Sequence, residues 1–311
     1  MKAVQIHRKR SCLLFTIYIK GVADLWEEKV VIDGPYHFDL ALERLAKDPL
    51  NKVDKDKRLI RVPIYKEEPE VADVHAVGTT DKPGFIIRGK SPHSKQQVMK
   101  KITSVFQWDL PLFEIHQHFT KTTLNNIFEK HFGTPIVLEF SLYPALIRPI
   151  IHQQVNMSFA ISLTEQFAKT FGFEIEGVPF FPSPETVARL NVGELRNLRF
   201  SQRKAEYIIN LSKMIVSGEL KLSELAEKPD NEVIKELVRI RGIGPWTAQS
   251  FLLFGLGRKN LFPMADIGLQ NAIKKLYLLD RKPTYEEMEN YSKDWHPYLS
   301  YASFYLWRSI E

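Results

Sequence analysis

The stretch Leu237-Val238-Arg239-Ile240-Arg241-Gly242-Ile243-Gly244-Pro245-Trp246-Thr247-Ala248 decides how this chain is read. Apolar residues at helical spacing run up to Arg239, and two glycines flank Ile243. Pro245 stands where a second helix would begin, a position at which its missing N–H costs nothing. The pattern predicts a helix-hairpin-helix. Glycines in such a turn let the backbone come close to a phosphate, and the unpaired N–H groups of the second helix's first turn offer it donors. Gly242, Gly244 and Trp246 are the expected backbone contacts, with Thr247 adding its hydroxyl. Taken alone, Gly-x-Gly-Pro would sooner be read as an ordinary αα-hairpin with Ile240 and Ile243 plugging a core, so its surroundings must decide.

Two surroundings do. Asp266 follows Trp246 by twenty residues, in Leu261-Phe262-Pro263-Met264-Ala265-Asp266-Ile267-Gly268-Leu269, at the expected start of another helix. Asp is a good N-cap, which is the bland role for this residue; a cap position would also leave its carboxylate at a helix end. The carboxyl-terminal segment then carries Trp295, Tyr298, Tyr301, Phe304, Tyr305 and Trp307. Part of that set reads as a helical core stripe, which suits Phe304 and Tyr305. Trp307, with Trp246 and the weaker candidates Tyr298 and Tyr301, could instead offer flat surfaces to a planar ligand.

Outward from this region the pattern is helical from about residue 111 to residue 311, with helices expected over 124–131, 142–171, 184–190, 203–216, 231–239, 245–254, 268–278 and 285–310. Ser183 before Pro184 is an expected N-cap. Residues 1–110 read differently. Strands are expected at the extreme amino terminus and over 13–20, 58–65, 71–77 and 84–88, with helices over 38–46 and 95–106. The expectation is an α+β sheet domain, 1–110, followed by an all-α core, 111–311.

Composition bounds the chemistry. The 311 residues carry 43 Lys+Arg and 37 Asp+Glu, a formal charge of +6, and 44% hydrophobic residues, which excludes a disordered tail protein. Residues 1–110 hold 20 basic and 15 acidic side chains, whereas 111–311 hold 23 and 22. A phosphate site in the helical part must therefore work by local geometry and not by a bulk positive field. The single cysteine, Cys12, excludes a disulfide framework and a cysteine-ligated metal cluster, and fits a reducing, cytoplasmic setting. No apolar run approaches the roughly 18 residues of a membrane span. Nucleophile-elbow, Walker, dinucleotide and His-Glu-x-x-His motifs are absent.

The hairpin Gly242–Ala248 and the Pro263-x-x-Asp266 element resemble the helix-hairpin-helix/Gly-Pro-Asp base-excision DNA glycosylases of the DNA-3-methyladenine glycosylase II type. The likeness extends to Leu146-Ile147-Arg148-Pro149-Ile150-Ile151-His152-Gln153-Gln154-Val155 before the hairpin. After it, Trp295-His296-Pro297-Tyr298-x-x-Tyr301-Ala302-x-x-Tyr305-Leu306-Trp307-Arg308 matches as well. The resemblance implies two helical lobes with an active-site cleft between them, and a monofunctional enzyme that hydrolyses the N-glycosidic bond of alkylated purines in double-stranded DNA. Such an enzyme extrudes the damaged base into a pocket, needs no cofactor and works as a monomer. Asp266 matches the catalytic aspartate, and Gln153 and Gln154 match the wedge loop, where some relatives have leucine at the second position. Carbonyls of Val238, Ile240 and Ile243 match the seat of a structural Na or K ion. In strand-cutting members a hairpin lysine forms a Schiff base; Trp246 stands at that position and cannot. Ser250 replaces a pocket tyrosine of some relatives, which bears on substrate range. The alternatives are a non-enzymatic helix-hairpin-helix DNA-binding protein, or a glycosylase for deaminated or oxidised bases. Arg203, Lys204, Arg239 and Arg241 are further candidates for phosphate contacts.

Overall fold

A computed structural model describes the backbone of residues 4–9, 12–17 and 25–311, and side chains from residue 25 onward. The Cys12 side chain and much of the amino-terminal basic excess lie outside the described residues.

Among the described residues seven strands form one antiparallel sheet: β1 (Val4–Lys9), β2 (Cys12–Ile17), β3 (Trp26–Ile32), β4 (Lys52–Asp54), β5 (Leu59–Ile64), β6 (Glu70–Ala76) and β7 (Gly84–Gly89). Their spatial order is β1-β2-β3-β7-β6-β5-β4. Helices α1 (Phe38–Leu45) and α2 (Lys95–Val105) supply Phe38, Leu42, Val98, Ile102 and Val105 to the core that the sheet shares. The expected strands and both helices are present to within a few residues. Strand β3 escapes the sequence pattern because Glu28 sits at an inward position; it is 3% exposed and its carboxylate pairs with Lys95 of α2 at 2.6 Å.

The rest of the chain holds α3 (Leu112–Phe119), α4 (Asn125–Lys130), α5 (Leu142–His152), α6 (Met157–Phe171), α7 (Pro184–Ala188), α8 (Val192–Asn197) and α9 (Gln202–Val216). After these come α10 (Leu222–Leu225), α11 (Asp230–Leu237), α12 (Pro245–Phe254), α13 (Ile267–Leu276), α14 (Tyr285–Ser292) and α15 (Leu299–Arg308). It is not all-α: a hairpin of β8 (Phe173–Ile175) and β9 (Val178–Phe180) follows α6 and reaches back to the sheet, Arg61 binding Glu176 at 2.8 Å. Two expected long helices are each broken. Between α5 and α6, Gln154 takes φ +55° and Asn156 caps the new helix by accepting from the Phe159 N–H. Between α14 and α15, a 3-10 turn at Lys293–Trp295 and Pro297 interrupt the run; proline lacks the N–H that a continuous helix requires there. Ser183 caps α7 as expected, accepting from the Thr186 N–H.

One apolar core runs from the sheet side into the helices, so the two parts are packed against each other. The Tyr36 hydroxyl donates to the Phe106 carbonyl, the Tyr65 hydroxyl accepts from the Phe181 N–H, and the Arg148 guanidinium of α5 is paired with both Asp48 and Glu139. No helix among the described residues is long and apolar enough to cross a membrane.

Candidate active site around Asp266

The hairpin between α11 and α12 is built as its residues require. Ile243 is 5% exposed and its N–H donates to the Ile240 carbonyl at 3.0 Å, closing the turn. Gly242 has φ +97°, and a Cβ there would lie 2.3 Å from the Tyr207 ring, so both backbone and packing demand glycine. Gly244 is different: a Cβ there would meet nothing within 4 Å. Nothing inside the protein explains its lack of a side chain, which leaves an open approach to the start of α12. Pro245 is the first residue of α12 and Ala248 makes the first helical bond, to the Gly244 carbonyl. The N–H groups of Gly242, Gly244, Trp246 and Thr247 find no acceptor among the described residues, as first-turn donors do not.

Asp266 is the N-cap of α13 and does more than cap. Its Oδ1 accepts from the Leu269 N–H at 2.8 Å and from the Trp307 Nε1–H at 2.8 Å; its Oδ2 accepts from the Trp246 Nε1–H at 2.9 Å. Helices α12, α13 and α15 thus each contribute one donor. A carboxylate has about four acceptor sites, so three bonds leave roughly one, on Oδ2. Gly268 gives the arrangement room: a Cβ there would crowd it, at 3.1 Å from Asp266 Oδ1 and 3.3 Å from the Trp307 ring. Sequence reading singled out both tryptophans for their faces; that their N–H edges hold the aspartate carries no sequence signal.

The other candidates divide. Gln153 is partly buried and its Nε2 donates to the Gly242 carbonyl and to Thr247 Oγ1, both at 2.9 Å. It braces the hairpin, which leaves Gln154, exposed and at φ +55°, as the residue of that loop that faces outward. Thr247 is 1% exposed with its hydroxyl engaged by Gln153, so only its N–H is available and the expected hydroxyl contact to phosphate is not. Tyr301 is 2% exposed, its hydroxyl pushed upward in pKa by burial, and lies in the core, away from any surface a base could reach. Tyr298 precedes α15, nine residues before Trp307, and packs edge-on against His118. Lys204 is buried and its Nζ donates to the Ile151 carbonyl at 2.7 Å, which removes it from the phosphate candidates, whereas Arg203, Arg239 and Arg241 are exposed. His152, just before this loop, is pushed down to about 4 by burial and is a neutral ring at neutral pH.

The residues matched to an ion seat fit one by their free valence. The Val238 and Ile243 carbonyls accept no hydrogen bond among the described residues, and that of Ile240 accepts one. Among the described residues no group of three or more His, Cys, Asp or Glu could hold a metal.

Comparison with known proteins places this geometry. Residues 147–297, from inside α5 to just before α15, match the family model described as HhH-GPD superfamily base excision DNA repair protein. YfjP of Bacillus subtilis (strain 168), assigned provisionally as a DNA-3-methyladenine glycosylase, is 52% identical over 289 residues, covering 92% of this chain and all of that one. A second protein of the same strain, named DNA-3-methyladenine glycosylase, is 36% identical over 221 residues, 70% of this chain and 73% of its own. Among solved structures, a 3-methyladenine DNA-glycosylase from Archaeoglobus fulgidus superposes with a TM-score of 0.77 over 89% of this chain and 97% of that one, at 23% identity, which speaks for the fold. With its hairpin, its capped aspartate and these relatives, the chain belongs to the HhH-GPD superfamily of base excision DNA repair proteins.

Proposed function

We propose that this protein is a monofunctional DNA glycosylase that binds damaged double-stranded DNA and hydrolyses the N-glycosidic bond of alkylated purines of the 3-methyladenine and 7-methylguanine type, leaving an abasic site. The observation that carries the proposal is the Asp266 carboxylate, fixed by three N–H donors and keeping one acceptor site beside two indoles.

In this reading the helical part forms two lobes around a cleft, within a division of the chain at about residues 110 and 111. Free N–H groups of Gly242, Gly244, Trp246 and Thr247 hold one backbone phosphate without reading sequence. A monovalent cation on the Val238, Ile240 and Ile243 carbonyls would add positive charge facing that phosphate. Gln154 fills the space left by the extruded nucleotide. The base enters against Trp246 and Trp307, whose electron-rich faces attract the positive charge an alkylated purine carries.

The chemistry then needs little more. When the C1′–N bond breaks, its electron pair leaves with the base, which neutralises the base's charge, so no general acid is required. Positive charge develops on the sugar ring, where the Asp266 carboxylate stabilises it. The free acceptor site on Oδ2 orients the attacking water, which forms the new C1′–O bond and loses its proton to the carboxylate or to solvent. Trp246 in place of a lysine supports release without strand cleavage. We also take the protein to act as a monomer in the cytoplasm.

The test is a panel of duplexes carrying methylated, deaminated or oxidised purines, analysed on gels with and without alkali. Release from the methylated duplexes, with strand breaks only after alkali, is expected. Preferential release of an oxidised or deaminated base, or breaks without alkali, would overturn the reading.

A further inference from the structure

Trp307 is held on its N–H edge by Asp266, but its ring is backed by a column that starts outside the helical part. Phe254, at the end of α12, lies 6.0 Å from Trp307 between centroids at 28°. The Arg44 guanidinium, on α1 beside the sheet, lies over Phe254 at 5.6 Å and over Phe304 at 4.7 Å. Phe304 is one turn before Trp307 on α15. The chain after that helix returns to the same place: Glu311 lies 3.8 Å from Arg44 and 2.8 Å from Lys47. Helix α1 therefore holds the turn that carries Trp307 from its back, its flank and its end.

We infer that α1 is part of the base-recognition apparatus, with Arg44 as a positioning residue that sets Trp307 through Phe254 and Phe304. The inference rests on the proposed role of Trp307 in base release. Its physical basis is that Phe254 and Phe304 are ring surfaces that attract a cation, while a guanidinium is flat and bonds at its edges. Arg44 can thus stay over two rings while its Nη1, which makes no hydrogen bond among the described residues, faces the Glu311 carboxylate as a charge at 3.8 Å. An uncharged chain of equal length would fill the space without fixing the rings' relative tilt. The sheet side of the molecule thereby acquires a role beyond supporting the helices.

The experiment compares Arg44→Met, Arg44→Lys and Trp307→Phe in the full chain. Arg44→Met should slow single-turnover release from a methylated duplex about tenfold, since small misplacements of a positioning group cost at least that much. Binding to abasic-site duplex and the thermal midpoint should stay close to wild type, and Arg44→Lys, which keeps the charge but not the flat guanidinium, should recover only part of the rate. The loss should be less than additive with Trp307→Phe, as for groups acting through one contact. The indole N–H resonance of Trp307, assigned by Trp307→Phe, should shift in Arg44→Met while that of buried Trp295 does not. An unmoved Trp307 resonance, an additive loss, or a rate that falls only in step with thermal stability would each overturn the inference. If Arg44→Met does not fold, Phe254→Leu cuts the same column at its middle and should give the same rate loss and the same shift. The resonance reads the inference without any turnover, so a wild type that releases no base contradicts the functional reading and leaves this measurement to decide the positioning.

Discussion

A carboxylate held by donors from three helices cannot turn without breaking bonds on at least one of them, and Asp266 is in that position. The cap bond to Leu269 was legible from the sequence, because Asp before an apolar helix start has that role. The indole bonds were not: spacing places a tryptophan near a site but says nothing of where its N–H points. This distinction makes a prediction at the level of one atom. Trp246→Phe and Trp307→Phe keep an apolar ring and delete a donor to a charged acceptor, a bond worth about 1.5–3 kcal/mol. Each should slow single-turnover release by roughly ten- to a hundredfold, and Trp→Leu at the same sites should be slower still, because it also removes the ring face that meets the base. If the rings matter only as stacking surfaces, Phe will restore most of the rate that Leu loses.

The two hairpin glycines look alike in the sequence and differ in the structure. Gly242 has positive φ and presses on Tyr207, whereas Gly244 has open space and φ −96°. Gly242→Ala should lower stability by about 1–3 kcal/mol, read as a shift in denaturant midpoint. Gly244→Ala should leave that midpoint unchanged and weaken binding to abasic-site duplex, because the added methyl stands where a phosphate would approach. Equal behaviour of the two variants would remove the argument that Gly244 is kept open for a ligand. Gln153→Ala removes two bonds that tie the end of α5 to the hairpin. It should weaken DNA binding without abolishing it. The breaks in the two long helices were partly legible, since Pro297 and Asn156 are a breaker and a cap in plain view; the left-handed backbone at Gln154 was not, because glutamine has no particular preference for it.

Across the whole molecule, the hairpin, the aspartate and five of the seven sheet strands were readable because each is a local residue preference. The column from Arg44 to Trp307 and the seating of Glu28 against Lys95 were not, because they join residues far apart in the chain. The same packing leaves one buried histidine, His131, and one half-buried, His152, that give stability a pH dependence. His131 and His152 are both pushed from 6.5 down to about 4, chiefly by burial. The unfolded chain therefore binds protons below about pH 6.5 that the folded chain does not bind until about pH 4, so stability is lost as pH falls through that window. The loss should be on the order of 2 kcal/mol per histidine at pH 5. His131→Leu should flatten the pH profile of the thermal midpoint, as both its ring nitrogens are buried without a partner. The most direct test of the central claim is Asp266→Asn, assayed in parallel for base release from a methylated duplex and for binding to abasic-site duplex. The account predicts that release is lost while binding persists, since the grip lies in the hairpin and the chemistry in the carboxylate. Undiminished release by Asp266→Asn would contradict it.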